Sequence, residues 1–568
     1  AVISTTITLV AVFFPIVFMD GMTGRLFREF SIVVSGSVII SSFAALTFTP
    51  MLATKLLIKR EKQSWFYRKT EPFFEGLNNL YSRSLAAFLR KRWIALPFTA
   101  ATILIIGFLW NHIPAEMAPL EDRSQISINT RGAEGVTYEY IRDYTEDINQ
   151  LVDSIVPDAE AVTARVSSGS GNVRITLKDM QDRDYTQMEV AEKLSKAVQK
   201  KTMARSFVQQ SSSFGGRRGG MPVQYVLQAT NIEKLQEVLP KFMAKVYENP
   251  VFQMADVDLK FSKPEARINI NRDKASIMGV STRNIAQTLQ YGLSGQRMGY
   301  FYMNGKQYEI LGEINRQQRN KPADLKGIYI RSDKGDMVQL DNLIELTNGI
   351  APPKLYRYNR FVSATISAGL ADGKTIGQGL DEMDKIAKET LDDTFRTALT
   401  GDSKEYRESS SSLMFAFILA ILLIYLILAA QFESFKDPLI IMLTVPLAIA
   451  GALVFMYFGG ITMNIFSQIG IIMLIGLVAK NGILIVEFAN QKQETGEDKM
   501  QAIKDAALQR LRPILMTSAS TVLGLIPLAF ATGEGCNQRI AMGTAVVGGM
   551  LVSTLLTMYI LSLIHISE

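Results

Sequence analysis

Gly476-Leu477-Val478-Ala479-Lys480-Asn481-Gly482-Ile483-Leu484-Ile485-Val486-Glu487-Phe488-Ala489 decides how the rest of this chain is read. The run that contains it is apolar and long enough to cross a bilayer as a helix, which takes about 20 residues. Lys480 and Asn481 interrupt it close to its middle. An unpaired ammonium at that depth is costly, so Lys480 predicts a carboxylate partner or a wet cavity. The alternative is a lysine that snorkels to the interface. Glu487, the nearest acid on the same helix, is about two turns away and reads as a solvated helix end. No other apolar stretch offers an acid at similar depth. Asp20 and Glu29 border a turn on one side, and Glu433 and Asp437 lie in a turn on the other.

Working outward, the same hydropathy test finds eight candidate spans, at about 2–19, 31–57, 93–111, 413–430, 438–458, 465–489, 513–532 and 541–563. The chain has 568 residues, of which 48% are hydrophobic and 20% charged. The charges avoid the apolar stretches almost entirely, so the composition mixes a lipid-compatible part with an ordinary water-soluble one. A simple soluble enzyme, a disordered chain and a disulfide scaffold are excluded, since the single cysteine, Cys536, has no internal partner. A net charge of +6 without a basic tract gives no support for nucleic acid.

Orientation follows from basic residues flanking the spans. Lys59, Arg60, Lys62, Arg68, Lys69, Arg83, Arg90, Lys91 and Arg92 place 58–92 in the cytoplasm, and the connection 490–512 falls on the same side. The soluble block then lies opposite. Within 58–92, Trp65, Phe66, Phe73, Phe74, Leu77, Leu80 and Tyr81 recur at the spacing of an interfacial helix. In the block, strands at 125–130, 161–167, 173–177 and 206–210 alternate with helices at 137–155 and 188–198, the split βαβ order. A similar order begins at Pro222 and resumes near residue 355, after an inserted segment.

The domain division is therefore 1–57, two spans; 58–92, interfacial helix and linker; 93–111, one span; 112–263, the βαβ-type part of the water-soluble block; 264–354, the insertion; 355–411, the remainder of that block; 412–489, three spans; 490–512, a cytoplasmic loop; and 513–568, two spans. The first span also repeats. Thr5-Thr6-Ile7-Thr8-Leu9-Val10-Ala11-Val12-Phe13-Phe14-Pro15 resembles Thr517-Ser518-Ala519-Ser520-Thr521-Val522-Leu523-Gly524-Leu525-Ile526-Pro527 without a gap. The repeat predicts two similar halves, with the counterpart of Lys480 preceding residue 1 and this chain an N-terminally truncated second half. The tail 561–568 departs from the repeat, another sign of truncation.

Other motifs are weaker. Arg510 and Thr517, two turns apart, share a helix face, but Arg512 anchors the helix as well as Arg510 does, and Thr517 can bond back to a carbonyl. The glycine-rich 213–220 precedes a strand and lacks the Lys-Ser/Thr of a phosphate loop, which argues against ATP. Two histidines, His112 and His565, cannot build a metal cluster, and the 25 methionines are scattered. No cofactor is expected.

Residues 476–489 resemble the tenth transmembrane helix of resistance-nodulation-division (RND) efflux pumps, and Arg510-Leu511-Arg512-Pro513-Ile514-Leu515-Met516-Thr517-Ser518 resembles the start of the eleventh. The stretch 30–50, ending Leu46-Thr47-Phe48-Thr49-Pro50, is similar to the sixth, and Ala430-Gln431-Phe432-Glu433-Ser434-Phe435 to the turn after the eighth. The resemblance spans nearly the whole chain and is closest to the hydrophobe/amphiphile, multidrug branch. It implies an α-helical membrane protein carrying a large periplasmic α+β block of ferredoxin-like porter subdomains with an inserted docking subdomain. It further implies a homotrimer in the bacterial inner membrane, proton antiport of amphiphilic small molecules, and a periplasmic adaptor and outer-membrane channel as partners. By the same resemblance Lys480, Arg510 and Thr517 form the proton relay, the lysine pairing with two aspartates of a helix absent here. The family's phenylalanine-bearing glycine loop has no close match; Ser167-Ser168-Gly169-Ser170-Gly171 stands in its place, so substrate contacts are not assigned. The alternatives are Cu(I)/Ag(I) export, for which Met117 and Met221 would be the first ligands to test, and a non-transporting membrane fragment.

Overall fold

The computed structural model describes residues 2–19, 21–56, 65–90, 95–210, 221–351, 354–371 and 373–567. The glycine-rich 213–220 and the basic residues at 59–62 and 91–92 lie outside them. The chain divides into two compact units, one comprising 1–131, 142–258 and 357–568, the other 132–141 and 259–356.

The first unit opens with four helices: α1 (Val2–Val17), α2 (Gly21–Leu56), α3 (Trp65–Arg90) and α4 (Ala95–His112). α2 starts ten residues before the predicted 31, because hydropathy ignores the polar first turns that the helix still includes. The sheet-rich block follows as β1 (Gln125–Arg131), α5 (Tyr138–Ile155), β2 (Ala161–Ser167), β3 (Ser170–Thr176), α6 (Gln187–Gln199) and β4 (Arg205–Gln210). Its strands are antiparallel in the order β2-β3-β1-β4, the split βαβ arrangement. Period-two alternation puts Ile126, Ile128, Val173 and Ile175 on one face, where they bury Tyr144 and Ile148 of α5 and Leu194 and Val198 of α6.

A second set repeats that order. β5 (Val223–Ala229), α7 (Ile232–Glu248) and β6 (Phe252–Val257) come first. The second unit intervenes in the chain with β7 (Lys263–Ile270), α8 (Arg272–Ile277), α9 (Thr282–Leu293), β8 (Gln296–Met303), β9 (Lys306–Gly312), β10 (Tyr329–Arg331), β11 (Met337–Gln339) and β12 (Ile344–Ala351). The set then closes with β13 (Tyr356–Tyr358), β14 (Phe361–Leu370), α10 (Ile376–Thr390) and β15 (Arg396–Leu399). β14 lies between β5 and β6, and β15 on the far side of β5, so the order is that of the first sheet. Where β2 and β3 are joined by a tight hairpin, β6 and β14 are separated by residues 259–356 of the second unit. That unit has a small core of its own from Ala275, Val280, Ile285, Ile330, Leu340 and Leu343. Its strands pair as β7 with β12, β8 with β9 and β10 with β11.

The first unit ends in six helices, α11 (Gly401–Phe432), α12 (Lys436–Met442), α13 (Thr444–Phe458), α14 (Ile465–Glu494), α15 (Lys499–Ala529) and α16 (Cys536–Ser567). α11 rises directly from β15, twelve residues before the predicted span, with Gly401 at φ +55°, where a Cβ would meet the Gln224 side chain at 2.3 Å. The predicted 438–458 span is broken at Leu443, because Pro446 has no N–H for the Met442 carbonyl. The predicted loop 490–512 is largely helix; only 495–498 separate α14 from α15.

Among the described residues six segments are long and apolar enough to cross a membrane, α12 and α13 counting as one. The other two of the eight expected spans, 2–19 and 93–111, correspond to α1 and the described part of α4, which are apolar but shorter.

Candidate functional site

α14 begins on a buried cap. Asn464 Oδ1 accepts the Phe466 and Ser467 amides, both at 3.0 Å, and the Ser467 hydroxyl accepts the Asn464 amide at 2.9 Å. From that fixed end the helix runs through the bundle against α1, α11, α13, α15 and α16. Lys480 is half-buried at its midpoint. Gly476, one turn earlier on the same face, lets α1 approach so closely that a Cβ there would stand 3.0 Å from Val12. Ile475, Ala479 and Ile483 around the lysine are fully buried. Among the described residues Lys480 has no ion pair or hydrogen bond.

Asn481, buried beside it, faces α15. Its amide donates to Ser518 Oγ at 3.3 Å, and Thr554 of α16 donates to the same oxygen at 3.1 Å. A short polar chain therefore ties three helices together one residue from Lys480. Such internal bonds are what lipid-facing surroundings demand of a buried amide. Hydropathy reading missed Ser518 and Thr554, because lone hydroxyls hardly alter it.

The structure separates the two arginines that spacing could not. Arg512 reaches Glu71 of α3 at 3.1 Å and stacks over Phe74 at 4.6 Å, so it anchors α15 to α3. Arg510 instead lies 4.4 Å over the Phe488 ring of α14, and no described atom accepts from its buried Nε. Thr517 donates to the Ile514 carbonyl at 3.1 Å, the local bond open to any helical threonine. α14 and α15 are thus packed together at both Asn481–Ser518 and Phe488–Arg510. Lys480, Arg510 and Thr517 are not bonded to one another among the described residues.

A second feature lies on the open face of the first sheet. Asn172 donates to Asn129 at 2.8 Å, and Asn129 donates to Gln209 at 2.8 Å, making a ladder across β3, β1 and β4. Beside it is a cleft of about 290 Å³ lined by Arg131, Arg165, Ser167, Ser170 and Phe207. Arg131 and Arg205 converge on Asp256 at 3.2 and 3.3 Å. Sequence reading placed Ser167–Gly171 in this region but gave the flanking strands no role.

The profile of the AcrB/AcrD/AcrF family, which are RND transporters, matches residues 1–567. The chain is 31% identical over 574 aligned residues to an uncharacterized transporter of Haemophilus influenzae, an alignment covering 99% of this chain and 56% of that protein. It therefore spans about half the length of that relative. Together with the apolar helices, these matches make it a multi-pass membrane protein.

Proposed function

This chain belongs to the AcrB/AcrD/AcrF family of RND transporters, and on that premise we propose that it serves proton-driven export of amphiphilic small molecules. Lys480, Arg510 and Thr517 form the relay, and the observation that carries this reading is Lys480 itself. It is a half-buried ammonium at the midpoint of a packed helix, with no partner among the described residues. In the working transporter a carboxylate from outside these residues pairs with it. Protonation of that carboxylate removes the partner, and the lysine must then find other acceptors or water, since an isolated charge is not tolerated in that setting. Arg510, stacked on Phe488 with a donor to spare, responds as α14 shifts, and Thr517 exchanges its carbonyl bond for another.

The cleft on the first sheet receives the substrate. Its arginines and amides suit the polar head of an amphiphile, and Phe207 its apolar part. The remaining parts of the reading are an inner-membrane location with the sheet-rich block in the periplasm, assembly as a homotrimer, and work with a periplasmic adaptor and an outer-membrane channel.

The test is Lys480→Ala in the full-length protein, reconstituted in vesicles with an imposed proton gradient and a fluorescent amphiphile. Export and proton flux should both fall to the level of protein-free vesicles, while the elution profile and helix content stay unchanged. Export at the unsubstituted rate would refute the relay.

A further inference from the structure

Between α4 and β1 the chain runs as a strap, 113–124, that is bonded in turn to three other parts of the first unit. It first pairs with the residues that start the Lys480 helix. The Met463 amide donates to Pro114 at 2.8 Å, Glu116 donates to Met463 at 3.0 Å, and Ile465, the first residue of α14, donates to Met117 at 3.3 Å. Next it meets α16. The Asn537 side chain donates to the Leu120 carbonyl at 2.7 Å, and the Gln538 amide donates to Glu121 Oε1 at 3.0 Å. The following residue turns to the sheet-rich block. Asp122 Oδ2 accepts the Gln187 amide, which opens α6, at 2.9 Å, and its Oδ1 accepts Arg183 and the Ser124 amide.

Two consecutive carboxylates thus hold the first turns of two helices, one in the apolar bundle and one against the first sheet. The N-terminal amides of a helix lack partners within it and favour negative charge. Both contacts are shielded from water: Glu121 is fully buried, and so is the Arg183 side chain that neutralises Asp122. Gln187 locks the junction further, accepting from the Arg123 and Gln125 amides and donating to the Glu121 carbonyl. Buried charge-assisted bonds of this kind do not slip by small steps, because leaving either group unpaired is expensive.

We propose that Glu121 and Asp122 are positioning residues that form a rigid latch, through which displacement of α14 and α16 is passed to α6 and the first sheet. The mechanical link stands on the geometry alone; its use in transport rests on the export reading above.

Hydrogen exchange of the full-length protein in lipid nanodiscs tests the link without any substrate. Glu121→Ala should speed exchange by at least about tenfold at the start of α16 and also at the start of α6, whose amides Glu121 does not touch. Asp122→Ala should do the same at both places. If each variant loosens only its own helix, the latch is refuted. Should the alanine variants not fold, Glu121→Gln and Asp122→Asn face the same two outcomes with smaller shifts.

In vesicles, Glu121→Ala should lose export while keeping proton uptake, whereas Lys480→Ala loses both. Parallel loss of export and uptake in Glu121→Ala would overturn the coupling role. If the unsubstituted protein moves neither protons nor amphiphile, the export reading fails, and the exchange measurement still decides the latch.

Discussion

Gly543→Ala probes the packing that keeps α15, and with it Arg510 and Thr517, against its neighbours. α16 crosses α15 where Gly543 meets the backbone of Leu528 and Ala529. A Cβ at Gly543 would lie 2.6 Å from the Ala529 nitrogen, 2.7 Å from the Leu528 carbonyl carbon and 2.8 Å from Ala529 Cα. Ordinary contact begins near 3.4 Å, so the helices must separate by roughly 0.8 Å at the crossing. All three atoms are main chain, and no change of rotamer relieves the clash. Overpacking of this kind costs about 1–3 kcal/mol, in a bundle where small residues at helix crossings are the main source of close contact. Gly524, on α15 itself, is the control, because nothing lies within 4 Å of its Cβ position. Gly524→Ala should be neutral or gain up to about 1 kcal/mol from helix propensity. The assay is the temperature at which half of the detergent-purified protein ceases to elute as a monodisperse peak. Gly543→Ala should lower that temperature and Gly524→Ala should not. Equal midpoints for the two variants would refute the close crossing.

Two further outcomes follow from the ion pairs. Arg512→Ala should expose α3 to limited proteolysis by removing the Glu71 bond, at a cost of no more than about 1 kcal/mol because the pair is partly exposed; Arg510→Ala should leave α3 protected. In the second unit Arg316 holds the Glu139 carboxyl at a pKa of about 2, below its ordinary 4.5, chiefly through their hydrogen bonds. A lowered carboxylate pKa stabilises the fold above the ordinary value and ceases to do so as pH falls through about 2. Exchange protection near Arg316 should therefore drop over that acid range in the native protein and be insensitive to it in Glu139→Gln.

Hydropathy located the apolar helices because lipid requires a long unbroken run of apolar side chains, and that requirement is written residue by residue. It misplaced their ends where a helix continues after its side chains turn polar, as at 401–412 and 499–512. Alternation placed the first βαββαβ set to within a residue except at β3, which starts three residues before the expected 173, since one sheet face is buried and the other open. The site was legible only as isolated residues. Lys480 was conspicuous as a charge where charge is costly, but Arg510 and Arg512 looked alike, and nothing in their spacing distinguishes a ring of α14 from a carboxylate of α3. Glu121 and Asp122 looked like any acidic pair in a connection.

The sequence by itself determined that this is a multi-pass membrane protein with a sheet-rich block, because composition and periodicity are local properties that solvent and lipid read directly. Only the tertiary structure decided that β14 returns to lie between β5 and β6 across the second unit, that Asn481 bonds to α15, and that adjacent carboxylates grip α16 and α6. These are contacts between residues up to several hundred positions apart. They depend on which helix ends and strand edges still need partners once the chain has packed, and no window along the chain contains that information.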